Sequence, residues 1–315
     1  MSGPLFPLRS GDMTVAELID AYFQQYAGRD SSRPQRLGWW RREIGHLRLD
    51  EVSDDHVHAA LASLETQPAR YYAGLDADGR PIFKAKRRAV APATLNRYAA
   101  SLGAVFTFAI KRRIAPKGWV HPCRGVERQP ESTGRTRFLS EDERGALLGA
   151  CRAAAWPRMY LLVLLALTTG ARKGELLGLR WADVDWEHAR LHVGRSKNGD
   201  PKVLPLTPPA SAELQRLRPP ADEPDALVFA SARARHKAFG FEPQWKDLLR
   251  QCGIRSFRFH DLRHSCASML AANGATLLEI GDLLGHRQVS MTKRYSHLAA
   301  GHRQALVCRV MGDLR

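Results

Sequence analysis

The sequence predicts a mainly α protein of two domains, an N-terminal helical domain followed by a mixed, mostly helical domain with a small antiparallel β-sheet. Three observations predict it. The chain has 315 residues, which at roughly 150 residues per domain suggests two. Apolar residues recur at helical spacing through most of the chain, and residues 115–136 interrupt that period with Pro116, Gly118, Pro122, Gly125, Pro130 and Gly134, as an interdomain linker does. Hydrophobic residues make up 44% and charged residues 25%, a globular balance that excludes a disordered or fibrous chain.

Taken in order, residues 1–12 form a flexible lead, and residues 13–114 form the helical domain. Thr14 and Glu17 make a capping box, after which Val15, Leu18, Ile19, Tyr22 and Tyr26 recur on one helical face. A second helix is expected around Gln35–Gly45. Ser53 caps a third, with Val52 and Val57 placed as a hydrophobic staple. The last starts near Pro92 and Thr94 and carries Leu95, Tyr98, Leu102, Val105, Phe106 and Ala109 on a stripe that reads as core. It ends in Lys111, Arg112 and Arg113, which suit the negative end of a helix. Between Pro68 and Arg88 the helical period vanishes, and Asp78-Gly79 flanked by aromatics predicts a surface hairpin. The run Lys84, Lys86, Arg87, Arg88 follows it, suited to phosphate contact or to a solvated loop.

Ser140 and Glu143, a second capping box, open the domain at 137–315. Helices are expected at about 141–154, 157–168, 172–179, 208–218, 242–252, 259–273, 276–285 and 290–296. One β excursion interrupts them. Arg190–Arg195 alternates, Asn198-Gly199 makes a hairpin turn, and Lys202–Leu206 returns.

The charge is +16, from 48 basic and 32 acidic residues. Residues 1–135 carry +7 of it and residues 136–315 carry +9. Both domains are basic, as expected if both face one polyanion. Five cysteines without CxxC spacing argue against a disulfide framework or a zinc ribbon and for a reducing cytoplasm. The longest apolar run, Met159 to Leu167, is too short to span a bilayer, and Pro4, Pro7 and Arg9 stand where a signal peptide would be apolar. These features predict a cytoplasmic, nucleoid-associated protein with no membrane segment.

Four polar clusters mark the second domain: Arg172 with Glu175, Lys197, His260-Asp261-Leu262-Arg263-His264, and His286 with Tyr295. Positions i, i+3 and i+4 place His260, Arg263 and His264 on one helix face. His260 and His264 are spaced like the histidines of a zinc helix, but Asp261 stands where the catalytic Glu would and no third ligand is apparent, so no metal and no cofactor is assigned. The set lacks the acidic ligands and Gly-rich loop of Mg²⁺-assisted phosphoryl transfer. It suits a phosphodiester instead. Two guanidinium forks can neutralise the non-bridging oxygens of a five-coordinate transition state. A phenol is a usable nucleophile when a histidine takes its proton, and a lysine can protonate the leaving oxygen.

The order TGARKGELLGLRW, SKNGDPKVLPL, HDLRH, LLGH and MTKRYSH resembles the tyrosine recombinase (phage integrase) family. The resemblance is strong over about residues 138–300 and weaker over 13–113, where the helical module is similar to the family's SAM-like core-binding domain. It implies a two-domain clamp around double-stranded DNA and a site-specific recombinase working through a 3′-phosphotyrosyl intermediate without metal or ATP. By resemblance, Tyr295 attacks the phosphate, Arg172 and Arg263 hold the non-bridging oxygens, and Lys197 is the general acid. His260 assists Tyr295, His286 donates a hydrogen bond to the phosphate, Glu175 braces the site, and His264 buttresses its helix. Candidate DNA contacts are Lys84, Lys86, Arg87 and Arg88, with Arg112 and Arg113. The tail from His297 to Arg315 suits docking on a neighbouring protomer, in keeping with a tetramer on DNA, or docking on its own domain. Only about a dozen residues precede the helical module, so a separate arm-binding domain is not expected. The 68–90 insertion has no counterpart in the family's compact module. A type IB topoisomerase and a catalytically silent DNA-binding regulator are the alternative readings. Joining of two specific sites, or its absence, discriminates them.

Overall fold

Thr14 begins the first helix by a reciprocal pair of bonds. Its hydroxyl accepts from the Glu17 amide while the Glu17 carboxylate accepts from the Thr14 amide at 2.8 Å, so two otherwise orphaned donors are satisfied. In the computed structural model, residues 12–131, 137–194, 201–219, 223–231, 234–299 and 307–312 are described. They fall into two compact units, one within Met1–Gly134 and one within Arg135–Arg315. The expected lead, apart from its last residue, lies outside the described residues.

The first unit holds α1 (Val15–Gln25), α2 (Arg33–Ile44), α3 (Asp54–Thr66), the antiparallel pair β1 (Pro68–Leu75) and β2 (Pro81–Ala89), and α4 (Pro92–Lys111). Pro34 and Pro92 sit in the first turns of α2 and α4, where the missing N–H costs nothing. Leu18, Leu37, Trp40, Val57, Leu102 and Phe106 form its dry centre. Residues 115–131, which composition assigns to a linker, are packed on this unit. Trp119 Nε1 donates to the Leu49 carbonyl at 2.6 Å, the His121 ring bonds the Gly103 carbonyl, and Asn96 holds Gln129. The Trp119 and His121 rings, packed edge-on against Phe106, outweigh the Pro/Gly signal around them. Residues 132–136 lie outside the described set.

The second unit contains α5 (Glu141–Arg152), α6 (Met159–Thr169), α7 (Lys173–Leu177), a three-stranded sheet of β3 (Val184–Asp185), β4 (Arg190–Val193) and β5 (Lys202–Pro205), then α8 (Pro208–Leu217). A small pair, β6 (Ala230–Ser231) and β7 (Ala234–Ala238), precedes α9 (Glu242–Gln251), α10 (Asp261–Ala272) and α11 (Leu277–Leu284). The sheet order is β3-β4-β5 with Leu191 opposite Leu204. β3, β6 and β7 are too short or too polar to show an alternating signal in sequence. The Asn198-Gly199 turn lies outside the described residues. α6 is buried nearly all round, as a central helix must be, and packs against α5, α8 and α10.

The helix expected at 290–296 is instead two 3₁₀ segments, Val289–Met291 and Lys293–Ala299. A period of three places Thr292 and Tyr295 on one face, and both are buried. Residues 307–311 are helical, with Val307, Val310 and Met311 exposed. Among the described residues the cysteines are free, and no helix is long and apolar enough to cross a membrane.

Candidate active site

The site is built where helices of the second unit end. α6 terminates at Gly170, whose φ of +61° is left-handed and whose added Cβ would stand 2.3 Å from Leu284 Cδ2, so only glycine fits. Two residues on, Arg172 starts α7. Its amide and its guanidinium both donate to the Glu175 carboxylate, at 2.9 and 2.8 Å. Glu175 Oε2, the oxygen that accepts from the Arg172 amide, also lies 2.7 Å from Lys202 Nζ, on β5. The side chains of that pair, Lys202 and Glu175, are 13% and 6% exposed. Burial pushes the Glu175 carboxyl up, but the bonds from Lys202 and Arg172 outweigh it and hold it below the usual range. Burial lowers the Lys202 ammonium, with Arg263 and Arg172 adding to the effect against Glu175.

Arg263, in the first turn of α10, is 5% exposed and has no carboxylate partner among the described residues. Its guanidinium donates to the Gly170 carbonyl at 2.7 Å and to the Leu284 carbonyl at 2.6 Å. These are the C-terminal ends of α6 and α11, where carbonyls lack intrahelical donors and the macrodipole is negative. Two helix ends therefore do the work of an anion. Burial and Arg172 bring Arg263 down to about 10, still a cation at neutral pH. Two of its five N–H donors are used in this way.

By resemblance His260 assists Tyr295, whereas in the structure the ring beside the phenol is that of His264. Tyr295 Oη lies 2.6 Å from His264 Nδ1. His260 stands at the start of α10, exposed, with its ring edge-on to His264 at 5.5 Å. One helical turn explains the difference. His264 lies deeper along α10, level with the pocket of Ala267, Ala271, Ile280 and Leu284 that holds the tyrosine ring. Burial first, then neighbouring cationic and histidine groups, depresses His264 to about 4. His286, whose Nδ1 bonds Thr292 Oγ1 at 2.8 Å, falls to about 4 by burial and by Arg263 and Arg172. His260, exposed but partly desolvated by its neighbours, is lowered by that desolvation and by Arg263. All three are neutral rings at pH 7. Burial raises the Tyr295 phenol against the opposing pull of Arg294 and Arg263.

Arg172, Glu175, His260, Arg263, His264, His286 and Tyr295 thus lie in one unit around the ends of α6, α10 and α11, whereas Lys197 lies outside the described residues. Lys84, Lys86, Arg87 and Arg88 lie on or beside β2 in the first unit, and Arg112 and Arg113 end α4 there. Sequence reading misses Lys202 and Thr292. A signal for Lys202 exists. It shares a strand face with buried Leu204, an inward position where a lysine requires a partner. Among the described residues no group of three His, Cys, Asp or Glu side chains is placed to hold a metal. Chemically, the arrangement offers two guanidiniums and an ammonium for a phosphate, beside a phenol already bonded to a neutral imidazole.

Residues 137–302 match the phage integrase family. The shufflon-specific DNA recombinase of Escherichia coli is 34% identical over 57% of this chain and 45% of its own length, so the match spans under half of that relative. The type 1 fimbriae regulatory protein FimE of Escherichia coli K12 is also 34% identical, over 51% of this chain and 86% of its own. In fold, the Tn1549 transposon integrase bound to transposon right-end DNA superposes with a TM-score of 0.70 at 16% identity, over 95% of this chain and 99% of that one.

Proposed function

This chain belongs to the phage integrase (tyrosine recombinase) family, and on that premise we propose that it is a site-specific recombinase acting on double-stranded DNA. The observation that carries the reading is the Tyr295–His264 bond set beside Arg263, a guanidinium held by helix ends and so left with donors for a phosphate. Tyr295 Oη attacks phosphorus as its proton passes to His264 Nδ1, a neutral base at working pH. The P–O5′ bond breaks as the P–O(Tyr) bond forms, and the released 5′-oxygen takes a proton from a lysine. Lys197 has that role by resemblance. Lys202, held by Glu175, serves as a further fixed cation for the charge developing on the non-bridging oxygens. Arg172 and Arg263 bind those oxygens, and His286 donates to one of them. The phosphotyrosyl ester conserves the bond energy, so rejoining by the incoming 5′-hydroxyl calls for neither ATP nor a metal.

Val307, Val310 and Met311 are exposed on one short helix, an apolar surface suited to docking on another protomer of a DNA-bound tetramer. The test of the function uses a duplex containing the recombination junction recovered from cells, nicked beside the scissile phosphate so that the cleaved strand escapes. The wild-type chain is expected to accumulate a covalent adduct, and Tyr295→Phe to bind the duplex and form none. An adduct formed by Tyr295→Phe overturns the assignment.

A further inference from the structure

The β1–β2 pair is an ordered ribbon that the fold does not use. Its strands are eight and nine residues long, yet neither face is covered. Tyr71, Tyr72 and Leu75 are 44%, 57% and 58% exposed. Pairing is regular at the centre, with Tyr71 opposite Lys84 and Tyr72 opposite Phe83. The turn is closed by the Asp76 carboxylate, which accepts from the Asp78 and Arg80 amides, with Gly79 at φ +76°. Lys86 Nζ stands 5.9 Å over the Tyr71 ring, on the face that also carries Lys84, while Tyr72 and Phe83 meet edge-to-face on the other. An irregularity between Ala85 and Ala89 then presents Lys86, Arg87 and Arg88 in succession. A two-stranded ribbon with no buried face is at best marginal in water, and a patch of exposed rings marks a surface that something covers.

Charge identifies the occupant. Residues 68–90 hold six basic and two acidic groups. At the foot of the ribbon, against α2 and α4, lies a groove of about 1380 Å³ lined by Arg36, Arg42, Arg70, Lys86, Arg88 and Arg97, with Glu43 as the acidic residue among its lining. Arg36 is taken by Asp30 and Ser101, and Arg42 donates to the Gly38 carbonyl, but among the described residues none of the other five cations is paired with a carboxylate. A two-stranded ribbon fits the major groove of B-DNA, and neutralised phosphates would cover its cations. Resting on the recombinase reading, we infer that the 68–89 ribbon is a second DNA-engaging element of this chain. It lies along a duplex groove with Lys84, Lys86 and Arg88 on phosphates, and it sets how firmly the protein is held on DNA without taking part in cleavage.

The test is the salt dependence of binding to a duplex of arbitrary sequence, read by fluorescence anisotropy between about 50 and 200 mM salt. For the triple variant Lys84→Ala, Lys86→Ala, Arg88→Ala, the slope of log K against log salt is expected to drop by about 2 to 3, at roughly 0.9 per lost phosphate contact. The control variant Arg216→Ala, Arg250→Ala removes exposed cations already paired with Glu213 and Asp247 and is expected to leave the slope as it is. At saturating protein the triple variant still forms the Tyr295 adduct on the nicked junction. An unchanged slope overturns the inference. So does a dimer without DNA, seen by light scattering, that Tyr72→Ser with Phe83→Ser abolishes, because the ribbon's occupant is then a second copy. If the wild-type chain forms no adduct while the slope still drops, the recombinase reading fails and the ribbon's contact with DNA stands.

Discussion

Two hairpins with similar sequence signatures have opposite fates in this molecule. Residues 190–205 and residues 68–89 each show strand-forming stretches flanking an Asx-Gly pair. In the first, β4 alternates exposed and buried, Leu191 and Leu204 enter the core, and the inward Lys202 is delivered to Glu175. In the second nothing is buried to comparable depth, and the cations and rings remain at the surface. The contrast teaches that a turn and two strands define a hairpin, whereas the residues alternating with the exposed ones decide whether it belongs to the protein or to a partner.

The largest effect that tests this contrast is on stability. Leu204→Ala is expected to cost about 2–5 kcal/mol, because it empties a closed site. Tyr72→Ala in the ribbon should stay within about 0.5 kcal/mol, with urea denaturation as the measure. Equal losses would break the comparison. Next comes catalysis. Lys202→Met is expected to lower single-turnover cleavage about 10²-fold at saturating protein, in the range for removal of one charge-stabilising donor, with binding nearly intact. Lys84→Met should do the reverse, weakening binding and sparing the cleavage rate. The last test is of pH. His264 and His286 fall from an ordinary 6.5 to about 4 in the folded chain, so between those values the unfolded chain binds more protons and stability rises with pH. Their contribution is complete above about 6.5 and is lost as pH falls towards 4. His264→Gln with His286→Gln should therefore flatten the decline of Tm between those pH values, and an unaltered decline would place the titration elsewhere.

Local rules made much of this architecture legible. Thr14 with Glu17 and Ser140 with Glu143 start helices through bonds that the sequence spacing states outright. The order of Arg172, Arg263, His286 and Tyr295 was legible through its resemblance to the family's motifs, and the first three lie on or beside helix ends. What was not legible depends on packing at long range. His260 and His264 share a helix face, and which one meets Tyr295 is decided by how residues 289–299 settle over α10. Lys202 is one strand lysine among many until Glu175, 27 positions earlier in the chain, turns towards it. Trp119 looks like part of a linker until the Leu49 carbonyl, 70 residues away, accepts its indole N–H.

The guanidinium of Arg263 also acts as a clasp. It ties two helices that are not neighbours in the chain, at a seam so tight that Gly170 tolerates no methyl group. Fraying of either helix end would release the arginine and disarm the chemistry before the rest of the unit melts. For a protein proposed to cut DNA, that is a safe way to fail: a damaged copy falls silent instead of cutting indiscriminately.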